Sequence, residues 1–309
     1  MNIGGAGKSP RSPISTLEML KFWRESDLCL DYVQFLKNLA EMCKGRSFFS
    51  ESKDLYDGNI LLLGNWIKKL NSHIEHIPLL ERSVNNVRFG NPAFRKIIQK
   101  AIQTFRIDFC DILTDNQMND LCPYILTMFG HHARLDFGTG HELHFFVFLK
   151  CLFEISFLNQ KNFKDVGWII MEYFNIVRHI QVYFTLEPAG SMGAWNIDDF
   201  NFLPFYFGAA QLDSDDFVDF TPSDCLNQRI LRDYVDEKLM FPMAFYFAMS
   251  SKTGGIQATA PMLHSVVQHD TWGEIHKGLI RMYKEVVLNN FGAIQHLEFC
   301  EHFDLQFNE

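Results

Sequence analysis

Apolar side chains recur every third or fourth residue in one stretch of this chain after another, and that period constrains the fold more than any other feature. Leu28, Tyr32, Phe35, Leu36, Leu39 and Cys43 form one such stripe, and Phe94, Ile97, Ile98, Ala101, Ile102 and Phe105 form a second. Val166, Ile169, Ile170, Tyr173, Phe174 and Val177 repeat the pattern, as do Leu279, Met282, Tyr283, Val286 and Val287. At 3.6 residues per turn each set falls on one face of a helix that must be buried against another element. Period-two alternation between hairpin turns is nearly absent. The spacing predicts an all-α protein in a single helical domain without internal repeats. A chain of 309 residues with 31 phenylalanines has the length and the apolar bulk to build a sizeable core.

Punctuation along the chain agrees. Ser15-Thr16-Leu17-Glu18 fits a capping box, and Asn91-Pro92 reads as an N-cap followed by proline in the first turn. Residues 1–13 are rich in Gly, Ser and Pro and are predicted to be a disordered tail, with the helical domain spanning 14–309. That tail has no apolar stretch of the signal-peptide kind. Its Gly-Gly-Ala-Gly-Lys-Ser run invites comparison with a P-loop, but the position that needs the first glycine holds Asn2, and no strand precedes it. The most apolar run, 143–158, is interrupted by Lys150 and Glu154 and reads as a core helix, not a membrane span. With 28 Lys+Arg against 37 Asp+Glu the formal charge is −9, which argues against nucleic acid as a partner. The seven cysteines are scattered with no Cys-x-x-Cys pair, so reduced thiols in a cytosolic or nuclear compartment are expected.

Two glycine-rich stretches break the helical rhythm: 134–142 and 187–200. In the first, Gly138-Thr139-Gly140 stands just before the apolar helix that begins near His141. Free amides at a helix start, unobstructed by Cβ atoms, suit an anion, and Arg134 is near enough to add a bidentate phosphate contact. The other reading is a tight turn whose glycines only satisfy backbone geometry, with Arg134 on the surface. The second stretch ends in Asp198 and Asp199. Hard oxygen ligands beside a phosphate site suit Mg²⁺; alternatively, one aspartate caps the following helix and the other is solvated. His141 and His144 lie a turn apart, but no third ligand at a recognisable spacing makes them a zinc site. No Ser or Cys sits in a recognised nucleophile setting.

These segments, taken with Arg88-Phe89-Gly90-Asn91, the Glu-Pro-Ala-Gly-Ser run at 187–191, Phe202-Leu203-Pro204-Phe205, Gln211-Leu212, Lys252-Thr253-Gly254, Gly-Leu-Ile-Arg-Met-Tyr-Lys at 278–284 and Ile294-Gln295-His296, resemble the phosphotyrosyl phosphatase activator family. They occur in family order over nearly the whole chain. The resemblance implies an all-α fold with core, linker and lid regions around a deep cleft that holds ATP and Mg²⁺. It implies binding to the catalytic subunit of protein phosphatase 2A, usually with its scaffold subunit, and a peptidyl-prolyl cis-trans isomerase activity on proline-containing peptides. Carried over by residue, Arg134, Thr139, Gly140, Gln295, His296 and Leu297 are expected at the nucleotide. Gly193, through its carbonyl, and Asp199 are expected at the magnesium.

Isomerisation must lower a barrier of roughly 18–20 kcal/mol, which needs a groove shaped for the twisted amide and no nucleophile. Glu187, Gly190, Trp195, Asp198, Gly278 and Met282 are the candidates for lining it. A non-enzymatic reading treats ATP–Mg²⁺ as a bridge through which a binding module reshapes the phosphatase. An independent ATPase would lack both a Walker motif and an obvious water-orienting base. The chain departs from the family pattern at Asn196 (usually Gly), at Ile256, Ala258 and Thr259 (usually an aromatic residue, then Glu-His), and at His269-Asp270 ahead of Thr271-Trp272 (usually Val-Pro). Those departures bear on partner or peptide contacts, not on the nucleotide residues.

Overall fold

Thr16 opens the first helix: its hydroxyl accepts the Met19 N–H at 3.1 Å, satisfying an amide that has no carbonyl partner inside the helix. The capping box expected from Ser15 is therefore displaced. Glu18 sits too early in the helix to reach back, and the Ser15 hydroxyl turns to the Met19 sulfur. In this computed structural model the described residues are 14–48, 57–81, 89–190, 196–214, 217–237, 239–250 and 252–305, so the predicted tail at 1–13 lies outside them. The helices are α1 (Leu17–Glu25), α2 (Asp27–Cys43), α3 (Gly58–His73), α4 (Phe94–Phe109), α5 (Asp115–Thr127), α6 (Thr139–Glu154) and α7 (Phe163–Tyr183). They continue as α8 (Leu203–Leu212), α9 (Gln228–Asp236), α10 (Met240–Ser250), α11 (Ile256–Thr259), α12 (Pro261–Val266), α13 (Trp272–Tyr283) and α14 (Phe291–Ile294). Apart from isolated bridges, the extended pairing among the described residues is one parallel pair of two-residue strands, β1 (Asp136–Phe137) and β2 (Glu187–Pro188). The all-α prediction holds. Among the described residues no helix is long and apolar enough to cross a membrane.

The apolar run that reads as a core helix is α6, and it is buried on all sides from His141 to Leu152. A helix apolar all round must be covered all round. Helices α2, α5 and α14 pack on α6, and from α7 Tyr173 stacks on Phe145 with ring centroids 3.6 Å apart and planes 2° apart. Phe146 stacks in turn on Phe207 of α8 at 5.1 Å. Lys150 can lie inside this helix because Asp31 and Glu154 reach its ammonium at 2.7 and 2.6 Å.

Helix α8 is likewise buried throughout and is packed by α2, α10 and α13. Gly208 sets its distance from α10, since a Cβ there would meet the Phe241 backbone nitrogen at 2.2 Å. Gly208→Ala is accordingly expected to destabilise the fold by about 1–3 kcal/mol, the usual range for overpacking a tight core, despite alanine's better helix propensity. Urea denaturation checks this. An unchanged midpoint would mean that α8 and α10 can move apart without loss.

Candidate functional site

The two glycine-rich stretches, remote in sequence, are joined by the small sheet. Asp136 pairs with Glu187 and Phe137 with Pro188; the Glu187 N–H donates to Leu135 O at 3.1 Å and the Ala189 N–H to Phe137 O at 2.7 Å. Residues 131–136 form a turn ahead of β1, closed by the His131 N–H donating to Asp136 O at 2.9 Å and the Leu135 N–H to His131 O at 2.8 Å. His131 also braces this turn from its side chain, accepting the Ala133 and Arg134 amides on Nδ1 at 3.1 and 3.0 Å. A ring nitrogen that accepts twice carries no proton, which fixes the neutral tautomer, and burial together with the nearby Arg134 charge lowers the His131 pKa to about 4.

Arg134 projects from that turn. Its Nε donates to Asp136 Oδ2 at 2.8 Å, and its terminal nitrogens have no hydrogen-bond partner among the described residues. Burial works against the Asp136 charge, but His141 and Arg134 outweigh it and hold the carboxyl below its ordinary range. The other carboxylate oxygen, Oδ1, is buried with no hydrogen bond and lies 3.6 Å from His141 Nε2. Asp136 thus aims the guanidinium without using up its outer fork.

Beyond β1, α6 begins at Thr139 behind an extended Gly138 that has no side chain to cap it. The His141 and Glu142 amides turn back to Gly138 O at 2.9 and 3.2 Å, and the Thr139 and Gly140 amides are left without a protein acceptor among the described residues. The opposite wall comes from the turn around α14. Gly140 lets it approach: a Cβ there would lie 2.9 Å from Ala293 O. The His144 ring spans the two walls, with Nδ1 2.6 Å from Gly140 O and Nε2 3.0 Å from His296 O. Burial lowers its pKa to about 4, so the neutral ring donates to one of these carbonyls at a time.

Between these walls lies a cavity of about 660 Å³, within the range of small-molecule sites. Arg134, Thr139, Gly140, Gln295 and His296 all line it. Leu297 is fully buried behind them. Gly190 lines the cavity too, with Asn196, the departure noted at a family glycine. Asp199 does not line it: its carboxylate pairs with Lys252 at 3.2 Å. Gly193 and Trp195 lie outside the described residues. Glu187 accepts the Phe89 N–H at 2.7 Å, which ties the start of the 187–190 segment to the chain ahead of α4. Gly278 and Met282 line a separate cleft of about 470 Å³ with Val266, Ile275 and Leu279. The groove candidates are therefore divided between two surfaces.

Asp198 does not cap the helix itself: its Oδ2 accepts the Phe200 and Asn201 amides at 3.2 and 3.0 Å in the turn ahead of α8. The cap of α8 itself comes from a residue that sequence reasoning missed. Glu142, fully buried in the first turn of α6, accepts the Leu203 N–H at 3.0 Å, the Phe202 N–H at 3.1 Å and the Asn201 side-chain amide at 3.3 Å. Burial outweighs these donors and pushes its pKa up to about 8. The signal was a carboxylate at the start of a strongly apolar helix; such a group, once buried, needs buried donors. Arg178 lies close by, and Asp198 and then Glu142 are the charges that favour its cationic form against burial.

Comparison with known proteins bears on what such a cavity serves. A family model described as "Phosphotyrosyl phosphate activator (PTPA) protein" matches residues 10–305. The chain is 29% identical over 298 residues to the serine/threonine-protein phosphatase 2A activator 2 of Saccharomyces cerevisiae, covering 94% of this chain and 82% of that one. It is 30% identical over 303 residues to the serine/threonine-protein phosphatase 2A activator of Drosophila melanogaster, covering 96% and 74%. The crystal structure of the PP2A phosphatase activator Ypa1 superposes with a TM-score of 0.80 at 22% identity, over 94% of this chain and 93% of that one, and so shares the fold.

Proposed function

The chain belongs to the phosphotyrosyl phosphate activator family, and we propose on that premise that it activates protein phosphatase 2A by binding the phosphatase catalytic subunit, with ATP and Mg²⁺ in the cavity beside Arg134. The observation that carries the nucleotide part is one convergence. An arginine held at its Nε by Asp136, Thr139 and Gly140, whose amides have no protein acceptor among the described residues, and the 292–296 turn all line one cavity. Donors so placed match the oxygens of a polyphosphate. ATP–Mg²⁺, when bound, supplies a polyanion through which two proteins can be bridged. The chain's part is to hold its phosphates on Arg134 and on the Thr139 and Gly140 amides, with Gln295 and His296 on the facing wall. The scaffold subunit is proposed as a further member of the assembly, and the cytosol or nucleus as its compartment.

For the magnesium, the chemistry of one carboxylate plus phosphate oxygens is sufficient, because Mg²⁺ keeps most of its water. Asp199 is proposed for that role on exchanging Lys252 for the metal and turning toward the cavity, which it does not line in this structure, with the Gly193 carbonyl as the second protein ligand. Asp199→Ala is expected to weaken ATP binding about tenfold in magnesium and to change it little in EDTA, measured by calorimetry. Equal weakening in both conditions would remove Asp199 from the metal site.

Isomerisation of a proline-containing peptide is proposed as a second activity. The cleft beside Gly278 and Met282 favours it, since an apolar floor of Val266, Ile275 and Leu279 suits a prolyl ring. Ile256, Ala258 and His269 alter the surroundings of the family pattern, so peptide preference is expected to differ from that of the relatives. Met282→Asp assayed in parallel for isomerisation and for phosphatase activation separates the two activities. Loss of the first with the second intact assigns the cleft to peptide alone.

A further inference from the structure

Cys151 and Cys300 are 149 residues apart in sequence, and their sulfur atoms are 3.8 Å apart in the fold. We propose that hydrogen peroxide, or an organic hydroperoxide, converts this pair reversibly into an intramolecular disulfide that clamps the C-terminal hairpin to α6. The two thiols are in van der Waals contact, and a bond requires the sulfurs to close to about 2.05 Å. The hairpin that carries Cys300 is a tight turn, closed by the Cys300 and Phe303 amides donating to each other's carbonyls at 3.1 Å. It rests on aromatic packing of Phe299 and Phe303 against Trp23, with ring centroids 6.1 and 6.0 Å away, which allows small adjustments.

The partners differ in the way such chemistry needs. Cys300 is half-buried and within reach of a small oxidant, whereas Cys151 is fully buried behind it. The Cys151 thiol is in hydrogen-bonding contact with Cys300, and Tyr124 stands beside it; these favour the Cys300 thiolate and draw its pKa below the usual thiol value against the effect of burial. Burial pushes the thiols of Cys29 and Cys43 the other way, up to about 11 and about 12. Thiolate character and access therefore coincide at Cys300.

The steps balance. The Cys300 thiolate attacks one peroxide oxygen and the O–O bond breaks, giving a sulfenic acid; the hydroxide (alkoxide from an organic hydroperoxide) takes up the proton that Cys300 released on ionising and leaves as water (or alcohol). The Cys151 sulfur then attacks the sulfenyl sulfur; the S–S bond forms, the S–O bond breaks, and the Cys151 proton leaves with the hydroxide as a second water. Two thiols lose two electrons and two protons, and hydrogen peroxide is reduced to two waters, or an organic hydroperoxide to an alcohol and one water.

The bond would fix a wall of the cavity described above. Residues 295–300 run beside α6, already touching it where His144 meets the His296 carbonyl. A crosslink at Cys151 adds a second tie to the helix whose first residues are Thr139 and Gly140. The modification itself does not depend on what the cavity binds.

The test treats the full chain with hydrogen peroxide, blocks remaining thiols with iodoacetamide and maps peptides by mass spectrometry. A Cys151–Cys300 linked peptide is expected, about 2 Da lighter than the two free peptides, and dithiothreitol should abolish it. The thermal midpoint should rise by about 5 °C or more, given the length of chain closed by the bond. Cys151→Ser should leave Cys300 as a sulfenic acid that dimedone traps, while Cys300→Ser should leave Cys151 unmodified. Oxidation of Cys110 or Cys122 ahead of the pair, or direct passage of Cys300 to sulfinic acid in the wild type, would overturn the proposal. A crosslink with no rise in midpoint would refute the clamp.

Discussion

Replacing Glu142 with alanine is expected to lower the stability of the fold by about 3–5 kcal/mol, because three buried donors lose their acceptor at once and each orphaned group costs about 1–3 kcal/mol. The donors are the Phe202 and Leu203 amides and the Asn201 side chain, so the damage falls on the start of α8 and the turn that Asp198 holds. Glu142→Gln keeps a carbonyl oxygen for the amides and should cost far less. The two substitutions also separate with pH. The folded-state pKa of Glu142, about 8, lies above its ordinary 4.5, so between those values the folded protein holds a proton that the unfolded chain has released. The stability carried by that proton is complete below 4.5 and is lost as pH rises through 8. Glutamine cannot ionise, so Glu142→Gln should gain on the wild type as pH is raised from 6 to 9. Urea denaturation of the three proteins at both pH values measures this, and a pH-independent gap between wild type and Glu142→Gln would mean that the carboxylate stays charged throughout.

The second large effect is expected at Arg134. Removing its guanidinium takes away the fork that faces the cavity and should weaken ATP binding about 10- to 100-fold, the range for a lost charge-assisted pair of hydrogen bonds. Arg134→Lys should recover only part of it, because an ammonium carries the charge without the planar fork. Asp136 would lose one partner in either variant, so the thermal midpoint must be followed alongside. A weakening of ATP binding with an unchanged midpoint assigns the effect to the ligand. Undiminished binding in Arg134→Ala would take the phosphates away from this turn.

Much of this was legible in residue order, and the parts that were not share a physical cause. The 3.6-residue stripes led directly to α2, α4, α7 and α13, because a helix face buried in a core must be apolar whatever its neighbours are. Both glycine-rich stretches could be picked out as interruptions. Their pairing through Asp136 and Glu187 could not, since two-residue strands leave no periodic pattern and join only when the helices have packed. Glu142 illustrates the limit further. In sequence it is an acid in the first turn of its own helix, where a carboxylate is always welcome. Its side chain instead serves the start of α8, 60 and 61 residues away at Phe202 and Leu203. The Asp198-Asp199 pair was read as magnesium ligands or as a cap with a solvated neighbour. Asp198 instead closes the turn ahead of α8, and Asp199 is held by Lys252. The contact of Cys151 with Cys300 had no signal at all, because scattered spacing says nothing about which thiols meet.

The central claim is that nucleotide in the Arg134 cavity and the phosphatase are bound in concert. If ATP–Mg²⁺ touches both proteins, each must tighten the other by the same factor. Calorimetric titration of the 2A catalytic subunit into this protein, with and without ATP–Mg²⁺, on wild type and on Arg134→Ala, measures that factor directly. The account predicts phosphatase binding at least about tenfold tighter with nucleotide in the wild type, a coupling of about 1.4 kcal/mol, and no enhancement in Arg134→Ala, whose nucleotide-free affinity stays near that of the wild type. Equal phosphatase affinity with and without ATP–Mg²⁺ in the wild type would contradict it.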